Sequence, residues 1–138
     1  MKVIHLEELN GTENDVEHGN WRSRRFFLAD AGVGFSFHQT ILKAGTSTDM
    51  WYANHIEAVY VYKGKGTLTN RETGEEFELR PDTMYLLNDH DKHTVTVEED
   101  IHCVCTFNPP VTGREVHDEH GVYPLLDAEG NRLDTPQG

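Results

Sequence analysis

The feature that most constrains this chain is the shortness of its uninterrupted runs. Gly32, Gly45, Gly64, Gly66, Gly74, Pro81, Pro109 and Pro110 punctuate it at close intervals. Glycine and proline end regular elements and shape turns, so few segments are left long enough for a helix. The runs between them are rich in aromatic and β-branched residues. No stretch of ten or more residues carries a capped helical stripe of apolar side chains. The reading is an all-β chain, a two-sheet barrel or sandwich of jelly-roll type, with no internal repeat and no low-complexity block.

Several runs alternate with period two. Glu57, Val59 and Val61 share one parity against Ile56, Ala58, Tyr60 and Tyr62. His93, Val95 and Val97 do so against Thr94 and Thr96. Cys103, Cys105 and Phe107 do so against His102, Val104 and Thr106, and Val33, Phe35 and Phe37 against Gly34, Ser36 and His38. Thr67–Thr69 and Glu76–Leu79 flank a turn at Glu72-Thr73-Gly74-Glu75 and read as a hairpin. A polar residue at one end of an apolar strand face, as at Glu57 and His93, describes a barrel interior that is dry below and polar at its mouth. The bland alternative is that both residues face water and the valines do not mark the inside.

The 138 residues suit one domain. Within 1–138, residues 111–127 read as a polar segment closing over the barrel mouth and 128–138 as a polar tail. Twelve Lys and Arg against 24 Asp and Glu give a net charge of −12, which disfavours nucleic acid and anionic membranes as partners. The runs free of charge are shorter than the roughly 20 apolar residues a membrane-spanning helix needs, and the N-terminus meets acids at once. The expected setting is the cytoplasm. Cys103 and Cys105 lie two apart on one strand face, read as small buried hydrophobes and not as a redox pair.

Gly45, Glu57 twelve residues on and Gly64 seven further match the skeleton of the first cupin motif. Its two metal-binding histidines are missing, with Trp51 and Ala53 in their places. The second motif is also incomplete, with Thr83 for glycine and Leu86 for histidine. A closer resemblance accounts for both gaps. Nearly the whole chain resembles the ectoine synthases. The matching segments include Gly19-Asn20-Trp21 with Arg25, Gly34–His38 with Thr40, His55–Tyr60, Thr83–Leu87, His90–His93, Phe107–Glu119 and Gly121–Pro124. The match thins before Gly19 and after Asp127. Asp82 stands at a turn where that family more often has glycine.

The resemblance implies a cupin barrel, a head-to-tail homodimer and a carbon–oxygen hydro-lyase. The implied reaction is ring closure of N-γ-acetyl-L-2,4-diaminobutyrate to the compatible solute ectoine with loss of water. It implies iron(II) held by Glu57, Tyr85 and His93. Two oxygens and one imidazole suit Fe(II) or a similar first-row ion, and three protein ligands leave positions open for a substrate oxygen. By itself, Tyr85 reads more simply as a core aromatic.

The matching blocks supply the remaining candidates. Arg25 suits a substrate carboxylate, though it is also one of three neighbouring arginines, with Arg22 and Arg24. Trp21 suits a pocket wall or a cation–π contact. His38 and Thr40 share a strand face that serves either a ligand or solvent. His55 and Phe107 complete the substrate set. Tyr52, Glu115 and His117 are the proton-transfer candidates, with acid and base unassigned. The competing expectations are a cupin enzyme of another reaction, such as an isomerase or oxygenase, and a ligand-binding cupin without catalysis. The missing His-x-His speaks against the first, and a complete three-ligand set against the second.

Overall fold

The computed structural model describes residues 1–113. Eight strands form one antiparallel sheet: β1 Asp15–Glu17, β2 Trp21–Phe27, β3 Ser36–Leu42, β4 Ser47–Met50, β5 Ile56–Asn70, β6 Glu76–Leu79, β7 Thr83–Leu87 and β8 His93–Asn108. Among the described residues the only helical pieces are two short 3₁₀ turns, Leu6–Leu9 and Ala29–Ala31. No helix among them is long and apolar enough to cross a membrane.

The long strands β5 and β8 pair along their whole length, from Ile56↔Asn108 to Asn70↔His93. The remaining strands are built outward from this ribbon. β8 carries β3 along its C-terminal half and β4 along its N-terminal half; β5 carries β7 and then β6, the latter across the expected Glu72–Glu75 turn. β2 and β1 extend the β3 side.

The ribbon is not regular. Between Val61↔Cys103 and Gly66↔Val97, five steps along β5 are matched by six along β8. A one-residue slip turns every later side chain to the other face. Accordingly, Glu57, Val59 and Val61 are buried before it and Leu68 after it, while β8 keeps one buried parity from His93 to Phe107. Two glycines permit this close approach. Gly64 has φ +100°, and a Cβ there would collide with the backbone of Asp100; a Cβ on Gly66 would collide with the Thr96 carbonyl.

The core gathers Val59, Val61, Leu68, Leu79, Leu87, Val95, Val97, Ile101, Cys103, Cys105 and Phe107. The parity read for β5 and β8 therefore points inward as expected. At β3 the outcome is the reverse of a hydrophobic-in rule. Val33 and Phe35 are 54% and 42% exposed, while Ser36 and His38 are buried. The aromatic residues find partners outside the barrel, with Phe27 against Phe35 at 5.3 Å and Phe26 against Phe37 at 5.6 Å. Asp82 occupies the left-handed region at φ +67°, and its carboxylate accepts a 2.6 Å hydrogen bond from Tyr60. Asp tolerates that region better than most residues, which explains a non-glycine at this turn. Of the closing segment expected over 111–127, residues 114–127 lie outside the described residues, as does the tail expected over 128–138.

Candidate active site

The inward faces of β2, β3, β5, β7 and β8 surround one cavity. Its walls include Trp21, Ser23 and Arg25 from β2, His38 and Thr40 from β3, Glu57 and Val59 from β5, and Tyr85 from β7. Cys103, Cys105 and Phe107 come from β8, with Met50, Tyr52 and Val111 from the segments at its mouth. Strand parity selects these residues. On β2, Ser23 and Arg25 are buried while Arg22 and Arg24 sit on the other face. Arg22 is bound there by Asp15 at 2.9 Å and Arg24 by Gln39. The three arginines that the sequence left equivalent are thus separated.

Arg25 is only 6% exposed and forms no ion pair among the described residues; its Nε donates to Ser23 Oγ at 3.1 Å. No other hydrogen bond among the described residues engages its guanidinium, which lines the cavity. A guanidinium is always charged, and a buried one is costly without a counter-ion. His38 lies opposite it in register on β3. Burial and the Arg25 charge push its pKa down to about 3, so the imidazole is neutral.

Phe107 is the hub of the apolar wall. Its ring meets Tyr52, His38 and His55 edge-on, at 5.2, 5.4 and 5.8 Å. Tyr52 and His55 lie on the link between β4 and β5 and are buried. His55 stands behind Phe107 and does not line the cavity. Trp21 lines the cavity, its ring tilted 55° against His18 at 4.6 Å.

Glu57 is 7% exposed, and burial pushes its carboxyl up to about 8 against a partly opposing hydrogen bond from Cys105. Tyr85 lies diagonally across from it, because Glu57 pairs with Leu87 and Val59 with Tyr85. Burial, and then the Glu57 charge, hold the Tyr85 phenol well above its usual value. Tyr85 also borders a second hollow, which His93 lines with Leu68 and Leu87. His93 is 2% exposed, and its ring is 6.0 Å from Tyr52. Its Nδ1 lies 3.0 Å from the Asp91 carbonyl, which accepts from an Nδ1–H. Its Nε2 is buried and has no hydrogen-bond partner among the described residues. An imidazole anchored through Nδ1–H with a bare Nε2 is the usual form of a metal ligand. Among the described residues, no three His, Cys, Asp or Glu side chains cluster as a metal site. Tyr85 is the residue that borders both the cavity lined by Glu57 and the hollow lined by His93.

Glu115 and His117 lie outside the described residues. Cys103 and Cys105, read as small buried hydrophobes, are both buried in the core. Cys105 contacts Thr40 at 3.5 Å and hydrogen-bonds Glu57, so the thiol touches the polar end of the cavity. Its shared parity with Phe107 was the available signal. Ser23 and Ser36 are also buried polar residues here, and nothing in their own sequence context marked them.

An antiparallel sheet wrapped around a mostly apolar cavity with a few buried polar side chains is the architecture of the cupin fold. A cupin domain of an XRE-family transcriptional regulator from Enterobacter cloacae shares that fold, with TM-score 0.54 at 20% identity over 64% of this chain and 96% of that one. The family model for ectoine synthase matches residues 1–127, and the chain belongs to the ectoine synthase family. The match runs from residue 1, so it includes the N-terminal stretch where the motif resemblance thins. The L-ectoine synthase of Thermobifida fusca is 57% identical over 97% of this chain and 100% of that protein. The crystal structure of ectoine synthase from P. lautus has TM-score 0.83 and 44% identity, covering 99% and 96% of the two chains.

Proposed function

We propose that this enzyme closes N-γ-acetyl-L-2,4-diaminobutyrate to ectoine. The observation that carries the reading is a buried Arg25 with no ion pair among the described residues and a buried Glu57 carboxyl facing one cavity with an apolar wall. That arrangement suits a small molecule with a carboxylate at one end and an acyl group at the other. In the reaction, the substrate's α-amine forms a C–N bond to its own acetyl amide carbon. The amide oxygen leaves as water and a C=N bond remains.

Arg25 binds the carboxylate through paired N–H donors, which sets the chain's orientation. Trp21 and Phe107 wall the folded substrate, hold the amine near the carbonyl and limit competing water. Thr40 and His38 offer hydrogen bonds on the β3 side, with His55 buttressing Phe107. Tyr52, Glu115 and His117 are assigned to proton transfer: one takes a proton from the ammonium and one protonates the departing hydroxyl.

Iron(II) is assigned to Glu57, Tyr85 and His93. The bare buried Nε2 of His93 and the carboxyl pushed up by burial are what a cation at this position would satisfy. Bound there, the ion supplies Lewis-acid polarisation of the amide carbonyl. The reading also includes a cytoplasmic homodimer in cells under osmotic stress. The exposed Tyr60, Met84 and Leu86 on the outer face of β5 and β7 give a surface for the second copy to cover. An acidic surface, net charge −12, suits a solute-rich cytoplasm.

The test is incubation of the iron-loaded chain with N-γ-acetyl-L-2,4-diaminobutyrate, followed by proton NMR. Appearance of the cyclic product supports the reading. Well-folded, iron-loaded protein that leaves the compound unchanged rejects it.

A further inference from the structure

Ser36 is fully buried at the start of β3, and its hydroxyl has two partners among the described residues. The backbone N–H of Val111 donates to Oγ at 3.1 Å, and His38 Nε2 lies 2.8 Å from the same oxygen. A serine hydroxyl has one hydrogen and two lone pairs. Were Nε2 protonated, both neighbours would donate to Oγ and its own hydrogen would be left without an acceptor. A buried donor left unsatisfied is expensive. With the hydroxyl hydrogen aimed at Nε2, the serine and both atoms that face it are satisfied: Val111 N–H to Oγ, and Oγ–H to Nε2.

The neutral imidazole then carries its proton on Nδ1. That nitrogen has no hydrogen-bond partner among the described residues and is not sealed from the cavity that the ring lines. We propose that Ser36 is a positioning residue: it holds His38 as the Nδ1–H tautomer, so that His38 presents a neutral donor to an acceptor oxygen of the bound small molecule. The assignment rests on the small-molecule reading of the cavity. Beside the Arg25 cation, a neutral donor adds direction without a second positive charge. The same hydroxyl ties Val111, the residue after Pro109-Pro110, to β3.

The experiment is a long-range ¹H–¹⁵N correlation of the histidine side chains in the full, ¹⁵N-labelled chain, assigned with a His38→Gln variant. The expected wild-type pattern is a neutral His38 with the proton on Nδ1. Ser36→Ala is expected to move it to the Nε2–H form or a mixture, and Ser36→Thr, which keeps the hydroxyl, to retain it. In steady-state cyclisation of N-γ-acetyl-L-2,4-diaminobutyrate, Ser36→Ala raises KM about tenfold, the scale of one hydrogen bond, with kcat within about twofold. A wild-type His38 protonated on Nε2, or on both nitrogens, overturns the proposal whatever the variants do. So does a Ser36→Ala protein with unchanged tautomer and unchanged KM. The spectrum needs no substrate: the expected tautomer in a chain that performs no cyclisation would reject the reaction and leave the positioning intact.

Discussion

Without a bound cation, the buried Glu57 carboxyl should cost this protein stability as pH rises. The carboxyl ionises at 4.5 in an ordinary setting and at about 8 in its buried position. The folded state therefore holds the proton more tightly than the unfolded chain does. Stability is fully present below pH 4.5 and falls as pH rises toward 8, by about 1.4 kcal/mol per pH unit. Across the window the loss reaches about 5 kcal/mol at most, comparable with the whole stability of many domains. His38 works in the opposite direction, since its pKa is pushed down from 6.5 to about 3. Raw stability curves therefore mix the two. The difference between wild type and Glu57→Gln isolates the carboxyl. Urea unfolding of chelator-treated protein, followed by tryptophan fluorescence from pH 4.5 to 8, should show wild type losing ground steadily against the variant. Added Fe(II) should abolish that loss in wild type only. A difference that stays flat with pH would refute the claim that Glu57 is buried without a fixed cation in the stripped protein.

Other consequences follow from single positions. Gly64→Ala should cost about 2 kcal/mol or more in urea unfolding, because alanine there is strained at φ +100° and collides with the Asp100 backbone. Cys103 and Cys105 are buried, and burial pushes the Cys103 thiol up to about 12 and the Cys105 thiol well above its usual value. The native protein should be inert to a thiol-specific disulfide reagent at neutral pH, and both thiols should react once it is unfolded. Arg25→Ala should raise KM roughly 10- to 100-fold, the scale of a charged hydrogen-bond pair, with a smaller change in kcat measured in the same assay.

The sequence made the inner faces of β5 and β8 readable, because Glu57-x-Val59-x-Val61 and Cys103-x-Cys105-x-Phe107 each bury one parity against a more exposed one. At β3 the alternation did not say which face is inside: the barrel interior there is a polar pocket, and Phe35 and Phe37 pack with Phe26 and Phe27 outside. The slip between β5 and β8 was marked only by Gly64 and Gly66, since nothing local shows which strand gains a residue. Tyr85 could not be oriented from its run, Thr83-Met84-Tyr85-Leu86-Leu87. Nearly every residue in it is apolar, and only pairing with β5 sends Tyr85 and Leu87 inward and leaves Met84 and Leu86 exposed. Ser36 escaped because a buried serine's value lies in its partners, Val111 and His38, one of them 75 positions away.

The central claim is that three distant residues hold one ion beside the substrate cavity. An iron-edge anomalous difference map from crystals grown anaerobically with Fe(II) tests it most directly. The account predicts a single strong peak bonded to a Glu57 carboxylate oxygen, the Tyr85 phenolic oxygen and His93 Nε2. A peak on a different donor set, or no peak in crystals of iron-loaded and active protein, would contradict it.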